Sequence, residues 1–338
     1  MGLPRSTYVR DGEEGVYHCY TRCVRRARLC GFDPLTGRDF SHRKAWILDR
    51  LRFLGSIFAV DVCAFSVMDT HLHNIVRLRP DIASAWSDYE VATRWVTLSP
   101  KKKIPLDLQI AALADCPQRI AVLRRRLSNL SWFMRQLNEF IARTANKEDN
   151  VKGHFWEARF KCKALLDDAS IVAGMVYVDL NLIHAGQAAT PEESDFTSIQ
   201  ERIRNWQKQK TAQNSASQSA ASDSPSLTSA DWLCPIQSTP QRRGILQISE
   251  DDYLNLVDRT GRILRSDKPG AIDPNLAPIL LRIGANPQAW PDTVSHFESK
   301  FRLAAGSLSS LRAFAQRLGK RWFTGVGSAR TAFATPKP

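Results

Sequence analysis

Between Val16 and Leu78 the apolar residues change period twice, and that order restricts the fold more than any other property of the chain. Val16 to Arg22 (VYHCYTR) is rich in aromatic and β-branched side chains, which suit a pleated strand. Ile47, Leu51, Leu54 and Phe58 then recur at i, i+4, i+7 and i+11, placing one apolar stripe on a helix from about His42 to Ala59. Val60 to Met68 and Leu72 to Leu78 read as two strands joined by the short Asp69-Thr70 turn, a hairpin. A polar, helical stretch from Asp81 to Asn146 follows. After it come a strand within Ala158 to Leu166 and a helix that Asp168 caps and that ends before Gly186. Strand, helix, two strands, helices, strand, helix predicts an α+β domain with a mainly antiparallel sheet.

From Thr211 to Ala230 there are seven Ser in twenty residues, one charge and one large apolar side chain, Leu227. Such a segment cannot bury a core and reads as a flexible linker. The expected organisation is therefore a domain at residues 1–206, a Ser/Ala/Gln-rich linker at 207–231 and a smaller, all-helical region at 232–338. In that last region Ser249-x-x-Asp252 precedes the apolar run of Tyr253, Leu254, Leu256 and Val257, as a capping box does.

Lys and Arg number 47 against 34 Asp and Glu, a formal charge of +13 with a pI near 9.6. Hydrophobic residues at 43% and aromatics at 9% supply an ordinary core and exclude global disorder. No window approaches the roughly 18 uncharged apolar residues of a membrane span, and Met1 to Arg5 lacks a signal-peptide core, so a cytoplasmic chain without membrane contact is expected. Seven cysteines from Cys19 to Cys234 make no disulfide framework at this length and read as small buried apolar residues. The positive charge points to a polyanion, most often nucleic acid. It is concentrated at Arg22, Arg25, Arg26 and Arg28, and again at Arg119, Arg124, Arg125, Arg126, Arg135 and Arg143, where Glu139 is the one acid. Gly153 to Lys163 (GHFWEARFKCK) alternates cations with aromatics on a predicted strand. Arg159, Lys161 and Lys163 there project to one side toward phosphates, and Trp156 or Phe155 is placed to stack on a base.

Two constellations carry chemistry. His71-Leu72-His73 begins a strand, and alternation points both imidazoles to one face, where they can grip a divalent metal. H-x-H also arises by chance. On the helix from Asp168, Tyr177 and Asn181 are i and i+4 and share a face. An amide oxygen can complete a metal site begun by two histidines, and a phenol beside that metal can attack phosphorus. The plain alternative is a half-buried core tyrosine and a polar residue near a helix end.

Four segments in this order, YHCYTRCVRRARLCG (Tyr17 to Gly31), VCAFSVMDTHLHNIV (Val62 to Val76), GHFWEARFKCKALLDD (Gly153 to Asp168) and MVYVDLNLIHAG (Met175 to Gly186), resemble the single-tyrosine HUH transposases, particularly the REP-associated branch. The stretch Tyr253 to Gly270 resembles the helical extension of long members. The resemblance implies a ferredoxin-like core with the H-x-H strand central and the tyrosine on a helix beside it. It implies that His71 and His73 are metal ligands, Asn181 the third ligand and Tyr177 the nucleophile, with Mg2+ or Mn2+ as the metal; imidazole suits Mn2+ better. Thr70 stands where relatives have Asn before the first histidine, and Leu182-Ile183-His184 stand where they have Pro-Val-Arg. Those departures predict a longer helix and one phosphate contact fewer, with ligands and nucleophile intact.

The implied reaction is cleavage of single-stranded or hairpin DNA through a 5′-phosphotyrosine link, followed by strand transfer in transposition. His184, or a water, is the candidate for assisting the phenol. A DNA-hairpin-binding host protein that no longer cuts, and a nuclease that uses water, are the competing readings. Monomer and homodimer are both open, the latter with the Tyr177 helix exchanged between two copies.

Overall fold

The computed structural model describes residues 3–24, 27–216, 232–265, 277–321 and 324–333. Arg25 and Arg26, and residues 217–231 of the expected linker, lie outside them. The fold is mixed α+β. After a 3-10 turn at Arg5–Thr7 come β1 (Gly15–Arg22), β2 (Phe32–Asp33), β3 (Arg38–Asp39), α1 (Arg43–Ile57), β4 (Val60–Val67) and β5 (His71–Leu78). The helices α2 (Pro80–Ala85), α3 (Asp88–Leu98), α4 (Leu106–Ala114), α5 (Pro117–Leu127) and α6 (Leu130–Glu148) follow, then β6 (Lys161–Leu165), α7 (Asp168–Asp179), α8 (Asn181–His184) and α9 (Ser198–Ala216). The chain ends with α10 (Glu250–Arg265), α11 (Ala277–Arg282), α12 (Trp290–Ser295), α13 (Phe297–Lys300), β7 (Ala304–Ala305), α14 (Leu308–Arg317) and α15 (Val326–Ala332).

Five strands form one sheet in the order β4-β5-β1-β6-β7, while β2 and β3 pair separately. The three residues between β4 and β5 are too few for a parallel crossover, so this pair is antiparallel. At the far edge β6 and β7 run parallel, with Ala164 opposite Ala304 and Leu165 opposite Ala305. The sheet is thus mixed rather than antiparallel throughout, and the C-terminal region expected to be all helical contributes a strand. Both departures have one cause: a two-residue strand of alanines carries no periodic signal. β5 is interior, between β4 and β1, and β1 holds the middle position.

The described residues cluster into two compact units, one of residues 1–61, 69–71 and 76–162, the other of 62–68, 72–75 and 163–338. In the first, Ile47, Leu51 and Leu54 of α1 are buried against α6, whose Phe133, Met134, Leu137 and Ile141 form the matching stripe; Phe58 meets Phe133 edge-on at 5.6 Å. Arg43 is fully buried at the start of α1. Its Nε donates to Glu148 Oε2 at 2.7 Å and its Nη2 to Asp149 Oδ1 at 2.7 Å, tying α1 to the end of α6. The Asp61 carboxylate similarly accepts from Arg77 and Arg79 at 2.7 and 3.1 Å.

In the second unit the C-terminal residues are part of the core. Cys234 donates its backbone N–H to Val62 at 2.8 Å, and the buried Arg202 guanidinium donates to the carbonyls of Cys63 and Cys234 at 2.8 and 2.9 Å. Tyr253 and Trp290 are fully buried, and α10 and α12 pack on α7. Residues 207–216, expected in the linker, belong to α9. Among the described residues no helix is long and apolar enough to cross a membrane.

Candidate functional site

The pleat of β5 turns His71 and His73 to the same face. In the first unit His71 is half-buried. Its Nδ1 shares a 2.8 Å hydrogen bond with Thr70 Oγ1, which orients the ring; the Tyr20 ring lies edge-on at 5.5 Å. Thr70 therefore supplies the orienting contact directly from the preceding residue. Arg22 and Lys161 both lie over the same Tyr20 ring, at 5.1 and 5.7 Å, so two cations share the aromatic that flanks His71.

In the second unit His73 is 1% exposed and meets Tyr177 edge to face, with ring centroids 5.7 Å apart and planes at 88°. Tyr177 projects from α7, which begins one residue earlier than expected at its cap. Asp167 is the N-cap, with its side chain accepting from the Ser170 N–H at 3.0 Å and Ser170 Oγ closing a capping box. Every other residue of α7 except the exposed Asp168 at its start is buried, because the C-terminal helices α10, α12 and α13 pack on it; Tyr177 is half-buried. The Tyr177 ring also tilts over Phe297 at 5.8 Å, 31° from parallel. Gly174, one turn earlier, leaves room for this contact: a Cβ there would sit 3.3 Å from the Phe297 ring and 3.2 Å from Leu165.

The longer helix expected from the missing proline does not form. Leu180, at φ −92° and ψ 4°, separates α7 from the single turn of α8. Asn181 opens α8 and is buried, and its Nδ2 has no hydrogen-bond partner. An orphaned buried amide is costly, on the order of 1–3 kcal/mol. Behind this turn Asp179 is fully buried, accepting from Ser198 Oγ and the Tyr253 hydroxyl; burial pushes its carboxyl up to about 6 against the pull of those two donors and of Arg202. His184 is pushed below the ordinary imidazole value by desolvation and by His296. It lies seven residues after Tyr177, on the far side of the break at Leu180.

Among the described residues no group of three or more His, Cys, Asp or Glu could hold a metal ion. A metal on this strand and helix therefore needs the Asn181 amide as well as imidazole. The orphaned amide fits that need, since a half-turn of its side chain presents oxygen in place of nitrogen. Imidazole with an amide oxygen suits a borderline divalent ion such as Mn2+.

The expected DNA contacts divide. Arg159 and Lys161 are exposed, as is Arg125. Lys163 is not: it is 3% exposed, its ammonium donates to the Phe297 carbonyl at 3.3 Å and to Glu298 at 3.4 Å, and it sits over the Phe297 ring. The strand that exposes Lys161 has turned inward two residues later, where the C-terminal residues cover it. Trp156 is buried against Phe155, with its indole N–H donating to the Asn138 carbonyl at 2.9 Å, so it is a core residue rather than a stacking platform. Arg124 is occupied by the Ala83 and Trp86 carbonyls and by Asp88, where it closes the end of α2. Arg126 lies over the Trp132 ring at 4.4 Å.

Sequence reading missed Tyr20 and Phe297. Tyr20 had a signal, since it shares its strand face with Arg22. Phe297 had none, because its partner lies 120 positions away in sequence.

No protein-family model and no curated protein matches the chain. Among solved structures, one of a REP-associated tyrosine transposase bound to a REP hairpin is similar at 13% identity, covering 60% of this chain and 86% of that chain with a TM-score of 0.37. That likeness is too distant to transfer a role to any residue.

Proposed function

We propose that the protein cuts and rejoins single-stranded DNA through Tyr177, as a transposase of the single-tyrosine HUH kind with a ferredoxin-like core. The observation that carries the reading is the meeting of His73 and Tyr177, with the unpartnered Asn181 amide one turn further on.

The Tyr177 oxygen attacks the phosphorus of a phosphodiester, its proton passing to water. The bond to the 3′-oxygen breaks, and that oxygen leaves as a 3′-hydroxyl while the 5′-phosphate stays on the tyrosine. No bond energy is lost, so a second 3′-hydroxyl reverses the step, restores the phenol and joins the strands. His71, His73 and Asn181 would hold a divalent Mg2+ or Mn2+ ion, which when bound would supply Lewis-acid polarisation of the scissile phosphate. Contacts with His73 and Phe297 limit the freedom of the Tyr177 ring, which saves part of the entropy of attack. Arg22 and Lys161, at the Tyr20 ring beside His71, and the exposed Arg159 supply cations for the DNA backbone.

The test is incubation of the full chain with Mn2+ and a labelled single-stranded hairpin oligonucleotide, followed by a denaturing gel. A covalent adduct that Tyr177→Phe abolishes supports the reading. Cleavage without an adduct identifies a nuclease that uses water, and binding without cleavage identifies a hairpin-binding protein. Unchanged adduct formation in His71→Ala refutes the metal assignment.

A further inference from the structure

The exposed faces of α1 and α6 enclose a groove of about 370 Å3, lined by Trp46, Asp49, Arg50, Phe53, Phe140 and Thr144. That volume lies within the range of ligand sites, roughly 300–1,000 Å3. Phe140 is 41% exposed, one of the large apolar side chains left open to solvent. The Arg50 guanidinium lies between two rings, 5.0 Å from the centre of Phe53 and 4.6 Å from that of Phe140. Its hydrogen bonds are long and neutral: Nε donates to the Gln136 carbonyl at 3.3 Å and Nη2 to Gln136 Oε1 at 3.4 Å. Among the described residues no carboxylate pairs with it, and the one acid of the lining, Asp49, is drawn to Arg52 at 3.7 Å. A half-buried cation without a counter-ion, set among three aromatic rings, is complementary to an anion that carries a flat ring. Base stacking on aromatics tolerates any sequence, and an arginine beside them takes the phosphate.

We propose that this groove binds a nucleotide of single-stranded DNA, its base against Phe140 and its phosphate on Arg50, as a contact separate from the residues around Tyr177. The inference rests on the reading that DNA is the partner and adds a second place where the strand is held. Arg50 comes from α1 and Phe140 from α6, and the two are in contact, so one nucleotide engages both helices. Trp46, edge-on to His42 at 5.0 Å, extends the aromatic lining toward the start of α1.

The experiment is fluorescence anisotropy of a labelled oligothymidylate with the full chain, in chelator so that no strand is cut, over a series of salt concentrations. Phe140→Ala is expected to weaken binding about tenfold, within the 5- to 150-fold of one lost base stack, and Phe140→Trp to restore it. Arg50→Gln is expected to lower the slope of log affinity against log salt by about 0.7, one single-strand phosphate contact. Unchanged affinity and slope in both variants, with wild-type circular dichroism and melting, overturns the proposal while leaving Tyr177 untouched. A wild-type chain that binds no oligonucleotide refutes the DNA partner itself. A shift in sedimentation coefficient in Phe140→Ala, without a change in affinity, means that the groove joins copies of the chain and also overturns the proposal.

Discussion

Replacing Phe297 by Ala should unsettle the region around Tyr177 more than any surface change nearby. The ring is fully buried and touches Tyr177 at 5.8 Å and Phe301 at 5.5 Å, with the Lys163 ammonium 4.7 Å above it. Truncating a buried Phe costs about 3–5 kcal/mol through lost transfer energy and the cavity left behind. Lys163 keeps Glu298 and a carbonyl but loses the ring face, which adds a fraction of a kcal/mol to about 2 kcal/mol for a desolvated cation. A total of about 4 kcal/mol, at roughly 2–4 °C per kcal/mol for a unit of this size, lowers the melting temperature by roughly 10 °C. Thermal melting of the full chain followed by circular dichroism at pH 7 reads this directly, and Phe297→Leu, which fills most of the space, should recover more than half of it. A loss of less than about 3 °C in Phe297→Ala would show that the ring is not packed as described, and with it that the C-terminal residues do not support the tyrosine.

Other consequences can be measured on the same protein. Arg43→Met leaves Glu148 and Asp149 without their buried cation and should cost about 3 kcal/mol in urea unfolding; a loss below about 1 kcal/mol contradicts the α1–α6 tie. Tyr253→Phe removes one of two hydroxyl donors to the buried Asp179 and should cost about 2 kcal/mol at pH 7, the worth of a hydrogen bond to a charged group. Lys161→Gln should lower the salt slope of single-strand binding by about 0.7. Trp156→Phe should leave that slope unchanged and lose about 1 kcal/mol of stability, because the indole bonds to Asn138 rather than to a base; the reverse outcome for this pair would restore Trp156 as a DNA contact.

Elements with a strong period were legible from sequence. β1, α1, β4 and β5 fall within two or three residues of where alternation and the i, i+4 stripe put them, and Ser249 caps α10 as its motif predicts, accepting from the Asp252 N–H at 3.0 Å. Two adjoining aspartates leave the cap of α7 ambiguous in the sequence, and the choice of Asp167 depends on Ser170 three residues on. Side-chain roles that depend on distant neighbours were not legible. Lys163 reads as an exposed cation until Phe297 and Glu298 cover it, and Arg124 reads as part of a basic patch until the end of α2 meets it. The four segments from Tyr17 to Gly186 drew attention to His71, His73, Tyr177 and Asn181, and the contact of His73 with Tyr177 is the part of that set which the fold brings together within one unit.

Mass spectrometry of the covalent product tests the central claim most directly. After incubation with Mn2+ and a hairpin oligonucleotide, nuclease treatment trims the DNA to a short remnant and trypsin releases the peptide from Ala164 to Arg202, in which Tyr177 is the sole tyrosine. A nucleotide mass attached through phosphate to that peptide, absent in Tyr177→Phe and absent when the metal is chelated, is the predicted result. Efficient strand cleavage with no nucleotide on this peptide, or attachment to any other tyrosine, would contradict the assignment of Tyr177 as the nucleophile.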